Sequence, residues 1–329
     1  MTLRHLARQA GIDPDCWYPA CWSSELPPGS VRPVTLWKKS FAVFRGEDGT
    51  LGALHDRCAH RPVPLSLGHV ERCRLVCPYH GWTYDAGGQL TSIPHDRFGK
   101  RLPTLRVPSL AVTERYGLVW ISPRGNDPAT LPAIAPLEAS PPWPQVTLDE
   151  RWNAHHSAVI DNVLDLTHAH LHRRFQPFVD PHLESWDETS TTVRARYRTT
   201  VGSAPTLRPF LGKHVDLSRM TMEYIYPHHR SNTGDYVRHW TLLRPIDEAT
   251  THVYIIFVVK HARLPGIGRA PAWIVERGLR LLRQWYIKPL LAEDRMVLEA
   301  EQEHEDAGSS PELNPVVRAC HRLTVARAA

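Results

Sequence analysis

Between residues 58 and 82 the chain carries Cys58-Ala59-His60 and then Cys77-Pro78-Tyr79-His80-Gly81-Trp82, with sixteen residues between the two halves. Each half offers one thiolate and one imidazole at short spacing. A Cys2His2 zinc site usually places both cysteines in one half and both histidines in the other. Buried thiols beside surface histidines are the plainer alternative. Around these halves, short strand-like runs alternate with turns: Lys39–Arg45, a turn at Gly46-Glu47-Asp48-Gly49, Leu51–His55, Thr83-Tyr84, a turn at Gly87-Gly88, and Tyr116–Ile121. That rhythm predicts an all-β module ending near residue 123.

The mixture of ligands is what a two-iron, two-sulfur cluster of the Rieske type requires: two cysteines hold one iron, and two histidines replace cysteine on the other. Neutral imidazoles make such a cluster less negative and raise its potential. The segment resembles the Rieske ferredoxins and oxygenases throughout, including His60-Arg61-Pro62 and the Gly-Trp pair after His80. Cytochrome-complex Rieske proteins add a disulfide-forming cysteine to each loop. Ala, Arg or Tyr stands there in this chain, so it looks like the oxygenase type, with Cys58, His60, Cys77 and His80 as cluster ligands. Cys73 reads as an ordinary loop thiol.

A cluster alone does not explain the two hundred residues beyond it. The Pro-rich stretch 124–144 reads as a linker between a cluster domain, residues 1–123, and a second domain, residues 145–329. In the second domain residues 156–172 read as a helix. Residues 189–201, 220–228, 236–245 and 250–261 read as antiparallel strands, and about 272–305 as a long amphipathic helix with a possible break at Pro289. The class is α+β, a sheet with helices on one side. On a helix, His168 and His172 stand at i and i+4 and reach one metal, and Asp165 shares their face. Two histidines and a carboxylate form the facial triad of non-haem Fe(II) oxygenases. A zinc site, or histidines of the core or surface, is the competing reading.

The segment resembles the α-subunits of Rieske non-haem iron oxygenases, which carry Asn-x-x-Asp-x-x-His-x4-His. Asn162, Asp165 and His168 match it, whereas His172 follows after three residues instead of four. The resemblance implies a helix-grip (START-like) catalytic domain and a mononuclear iron held by His168, His172 and a late acid. Asp294 in Glu293-Asp294-Arg295 is the choice for that acid, with Glu293 and Glu299 as runners-up. It further implies that Asp165 links a cluster histidine of one subunit to an iron-ligand histidine of its neighbour in a homotrimer, and that Asn162 supports the iron site from outside. O2 is the implied co-substrate. Electrons are implied to come from NAD(P)H through a ferredoxin or flavin reductase.

Composition adds exclusions. The formal net charge is +5 over 329 residues with no run of basic residues, so no nucleic-acid partner is expected. Six cysteines in a chain this long do not read as a secreted disulfide framework. No signal-like or spanning apolar segment occurs, and a cytoplasmic protein without membrane contact is expected. Arg277, Arg280 and Arg283 read as a solvated face. Phe175, Phe178, Phe210, Tyr224, Tyr226 and Trp240 could line a pocket for a small hydrophobic or aromatic substrate. The length resembles the monooxygenase, demethylase and biosynthetic tailoring branches, whose reactions include hydroxylation, demethylation, desaturation and oxidative cyclisation. The rival function is an electron carrier or sensor whose second domain lacks metal, and the short His-x3-His gap favours it.

Overall fold

The computed structural model describes residues 2–94, 102–200, 216–264, 268–304 and 312–328. The chain divides into two compact units, Asp13–Pro132 and a unit made of Met1–Ile12 with Ala133–Ala329. The first twelve residues thus belong with the second half of the chain, not with the strands that follow them.

Asp13–Pro132 is built from three small antiparallel sheets. One pairs Tyr18–Trp22, Leu118–Ser122 and Ala111–Arg115; another pairs Ser30–Leu36, Lys39–Arg45 and Leu51–His55. The remaining sheet, His69–Glu71, Arg74–Val76, Thr83–Tyr84 and Leu90–Ser92, carries the Cys77 loop between its second and third strands. Tyr116 and Gly117, both with positive φ, form the two-residue turn that suits the strand twist of a hairpin. Phe44, Leu54, Leu65, Leu75 and Leu90 fill the core, and the side chains of Cys58 and Cys77 are buried among them.

The second unit is a seven-stranded antiparallel sheet. From one edge its order is Gln145–Trp152, Thr251–Val259, Val237–Pro245, His228–Thr233, Arg219–Ile225, Thr192–Thr200 and Val179–Glu188. The expected α+β arrangement holds, with more strands than the sequence suggested. Val179–Glu188 is mostly exposed and lacks the alternation that reveals a half-buried strand. A turn at Tyr226-Pro227 splits the expected 220–228 strand and starts a new one at His228.

Helices cover one face of the sheet. The Tyr197 hydroxyl donates to the Leu164 carbonyl at 2.9 Å, and the Tyr224 hydroxyl lies 3.0 Å from Thr324 Oγ1. Trp240 pairs with Arg230 in a row that also holds Glu223 and Arg194, so it faces away from the helices and cannot line a pocket beneath them. Phe210 lies outside the described residues.

Two helix expectations need correction. The α-helix begun at His156 ends at Leu164 rather than 172, because the Asp165 carboxylate accepts from Thr167 N at 2.9 Å and caps a 3-10 turn, Leu166–His170. The long helix Ala272–Leu282 runs through a π-type segment, Arg283–Ile287, into Lys288–His304. Pro289 has no N–H to donate, and the wider turn carries the chain past it without a break. It is not the last helix, since Pro315–Arg327 follows.

Candidate functional site

In the smaller unit, each cluster loop is closed by its own backbone. Cys58 N donates to Val63 O at 2.9 Å, and Cys77 N to Trp82 O at 2.8 Å. Gly81 adopts φ +70°, and a Cβ there would stand 2.6 Å from the Pro94 ring, so only glycine suits the turn after His80. The four expected ligands come together in an asymmetric way. Cys58 and Cys77 point into the core, and burial pushes the Cys77 thiol up, helped by the neighbouring Cys58 thiol. His60 and His80 lie toward the surface with ring centroids 4.7 Å apart, and His60 stacks on Trp82 at 4.5 Å.

Both thiols are free of disulfides. The Tyr84 hydroxyl stands 3.2 Å from Cys58 Sγ, a contact that nothing in the sequence announced. Two buried sulfur donors and two outward imidazoles fit a Rieske cluster. The thiolates would sit in the low-dielectric core and the histidines at the edge where electrons enter and leave.

In the larger unit, His168, His172 and Asp294 converge: one ligand atom from each lies within 4.8 Å of the others. His168 Nε2 is 3.6 Å, and His172 Nε2 3.2 Å, from the same carboxylate oxygen, Asp294 Oδ1. The other nitrogen of each ring is already engaged. His168 Nδ1 bonds the Asp165 carbonyl, and His172 Nδ1 lies 2.9 Å from Glu293 Oε2. Each ring is therefore held so that Nε2 is the free ligand atom, the arrangement that metal-binding histidines use.

The i, i+4 logic failed in detail, because His168 sits in the 3-10 turn and His172 just past it. The rings meet because the chain continues to curl, with Leu171 N donating to His168 O at 2.8 Å and His172 N to Ala169 O at 3.3 Å. The three-residue gap, read as favouring a metal-free carrier, thus still delivers both rings to one carboxylate. His170 is exposed and takes no part.

Electrostatics suit a cation. Burial pushes His168 down, and the Asp294 charge only partly offsets it. Burial also opposes charge on His172, but Asp294 and then Glu293 outweigh it and raise this imidazole. Asn162 Nδ2 donates to Asp294 Oδ1 at 3.2 Å, and Phe178 meets both imidazoles edge-on, at 5.4 and 5.8 Å between centroids. Of the runner-up acids, Glu293 orients His172 instead of joining the triad, and Glu299 accepts from Asn153 N at 2.9 Å. With two free Nε2 atoms, one carboxylate oxygen and a largely buried setting, these residues fit a mononuclear iron with open positions.

Comparison with known proteins agrees with this geometry. Residues 16–107 match the family described as the Rieske [2Fe-2S] domain, and residues 152–320 the vanillate O-demethylase oxygenase C-terminal domain. The chain is 37% identical to a 4beta-methylsterol monooxygenase of Methylococcus capsulatus, over 98% of this chain and 90% of that protein. It is 30% identical to the vanillate O-demethylase oxygenase subunit of a Pseudomonas strain, over 60% and 56% of the two chains. Its fold superposes on dicamba monooxygenase bound to dicamba with a TM-score of 0.77 at 24% identity, covering 95% and 96% of the two chains. A cluster domain followed by this catalytic domain places the chain in the Rieske non-haem iron oxygenases, enzymes that use a [2Fe-2S] cluster, a mononuclear iron and O2.

Proposed function

We propose that this oxygenase hydroxylates a methyl group on an apolar, fused-ring alcohol of the methylsterol kind, with electrons from NAD(P)H relayed by a ferredoxin or flavin reductase. One oxygen atom would enter the C–H bond; the other would leave as water, taking up two protons and two electrons. The observation that carries the reading is the convergence of His168 and His172 Nε2 on Asp294 Oδ1 in a chain similar along nearly its whole length to a methylsterol monooxygenase.

The proposed ligands are Cys58, His60, Cys77 and His80 for the cluster and His168, His172 and Asp294 for the iron. Bound there, the iron supplies O2 activation using electrons stored in the cluster. The chain's own residues set the stage. The Asp165 carbonyl and the Glu293 carboxylate fix the two imidazoles, Asn162 steadies the Asp294 carboxylate, and Phe178 keeps water from one side of the rings. Asp165 is assigned a further role as the carboxylate that meets a cluster histidine of a neighbouring subunit, which requires a homotrimer. Among the described residues, no helix is long and apolar enough to cross a membrane.

The test combines metal analysis with turnover. The loaded protein should hold about three irons per chain, two of them with acid-labile sulfide. It should convert a 4-methylsterol to its hydroxymethyl product in the presence of O2 and reductant. Asp294→Ala should keep the cluster spectrum, lose about one iron and form no product. Product from Asp294→Ala or His168→Ala at the unaltered rate would overturn the assignment.

A further inference from the structure

Directly paired residues of an antiparallel sheet point to the same side, so strand register identifies the helix-covered face. One row on that face carries Tyr224, His229, Thr241 and Ile255, and the next carries Met222, Ser231, His239 and Phe257. Tyr224 fixes the side, since its hydroxyl reaches Thr324 on the covering helix Pro315–Arg327. The helix His156–Leu164, which holds Asn162, also packs on these strands. His229, Thr241, Ser231 and His239 therefore form a polar patch in an otherwise apolar wall of the catalytic unit. None of them belongs to either metal site.

The patch is organised in two pairs. His229 Nδ1 lies 3.3 Å from Thr241 Oγ1, and His239 Nδ1 lies 2.5 Å from Ser231 Oγ, with the two imidazole centroids 5.0 Å apart. His229 is enclosed, and its Nε2 has no hydrogen-bond partner among the described residues. His239 and its row neighbour Phe257 are half-buried, less enclosed than His229 and Ser231. No hydrogen bond engages His239 Nε2 among the described residues. An imidazole nitrogen left without a partner at the half-buried end of an apolar wall can bond an oxygen of a bound molecule.

The chemistry of that partner is constrained. Burial pushes the His239 imidazole down to about 4, and burial and the His239 charge hold His229 well below the usual range, so both rings are neutral at physiological pH. Neither row contains Lys or Arg. A carboxylate placed here would give up hydration and meet no cation in these two rows. A hydroxyl matches either tautomer of the ring; a keto oxygen matches the one with hydrogen on Nε2.

We propose that His239, oriented by Ser231, is a specificity-determining residue that hydrogen-bonds an uncharged hydroxyl or keto oxygen on the otherwise apolar substrate and so fixes how that substrate lies in the pocket. The inference rests on the oxygenase reading above and deepens it by naming the group the pocket recognises.

The test is binding to the fully loaded enzyme of two matched pairs supplied from cyclodextrin: 4,4-dimethylcholestan-3-ol against 4,4-dimethylcholestane, and cyclohexanol against cyclohexane. The unaltered protein should prefer each alcohol roughly tenfold, as expected for one well-made hydrogen bond. His239→Phe should reduce the ratio to about one while the hydrocarbon affinity and iron content stay the same, and His239→Asn should restore part of it. A preference limited to cyclohexanol and dependent on His239 would keep the subsite and sink the sterol reading. No preference for either alcohol, an unchanged ratio in His239→Phe, or an equal loss for alcohol and hydrocarbon would each overturn the proposal.

Discussion

The histidines proposed to hold the iron show how much depends on atoms one step removed from a ligand nitrogen. His168 is steered by a backbone carbonyl that no side-chain substitution can delete. His172 is steered by the Glu293 carboxylate, 2.9 Å from its Nδ1. Partners of this kind usually contribute a factor of 10–100 in metal affinity. Glu293→Ala should therefore weaken iron retention by roughly that factor, read as earlier loss of the mononuclear iron to a chelator while the cluster's visible spectrum is unchanged. Glu293→Gln, whose amide oxygen can still accept from Nδ1, should recover most of the affinity. Equal retention in Glu293→Ala and the unaltered protein would show that His172 needs no such support. The sequence offered Glu293 only as a rival ligand. Adjacency to Asp294 marked it as important, but only the fold shows which acid meets the two Nε2 atoms and which meets Nδ1 of His172.

At the scale of elements, the helix His156–Leu164 links the amino terminus to the iron site. His155 caps it by accepting from Ser157 N, His156 Nε2 lies 3.2 Å from Ala10 O, and Arg8 pairs with Asp161 at 2.9 Å. The contacts of His156 with Ala10 and of Arg8 with Asp161 span about 150 residues of chain, which is why local pattern placed residues 1–12 with the strands that follow them. The regular strands Lys39–Arg45 and Leu51–His55 were legible because alternation and flanking turns are local signals. The edge strand Val179–Glu188 and the early helix end at Leu164 were not, since exposure and a side-chain cap decide them. Burial, and then the Arg8 charge, push His156 down to about 4 from 6.5. The unfolded chain takes up this proton first, so the stability linked to neutral His156 is complete above about pH 6.5 and is lost as pH falls through 4. That displacement corresponds to roughly 3 kcal/mol. Burial, with the His156 and Arg8 charges, lowers His155 as well, and the Asp161 carboxyl is held low by Arg8 and His321 against the effect of its own burial; both act in the same direction. Urea unfolding of His156→Gln should show a smaller stability loss between pH 7 and 4.5 than the unaltered protein. Identical losses would assign the acid limb to other groups.

On the scale of the whole molecule, the residues proposed as cluster ligands and those proposed as iron ligands occur in different compact units, so on that assignment catalysis depends on electrons passing from one kind of site to the other. Asp165 offers an assignable entry point. Its carboxylate oxygen accepts from the Thr167 hydroxyl and amide at 2.7 and 2.9 Å, and its carbonyl holds His168, so a group docking on Asp165 meets the residue that bonds a proposed iron ligand. If the donor is the cluster of a neighbouring subunit in a closed ring, two individually dead chains can repair each other. Co-expression of a Cys77→Ser chain, which keeps the iron site, with an Asp294→Ala chain, which keeps the cluster, would assemble mixed trimers. With random assembly and transfer in one direction around the ring, each position has an even chance of either chain. Roughly a quarter of neighbouring pairs then join an intact cluster to an intact iron site. Product formation should accordingly recover to about a quarter of the unaltered rate, and introducing Asp165→Ala into the Cys77→Ser chain should abolish the recovery. Mixed trimers that contain both centres yet form no product would place the transfer within a single chain and remove the reason for Asp165 to face a neighbour.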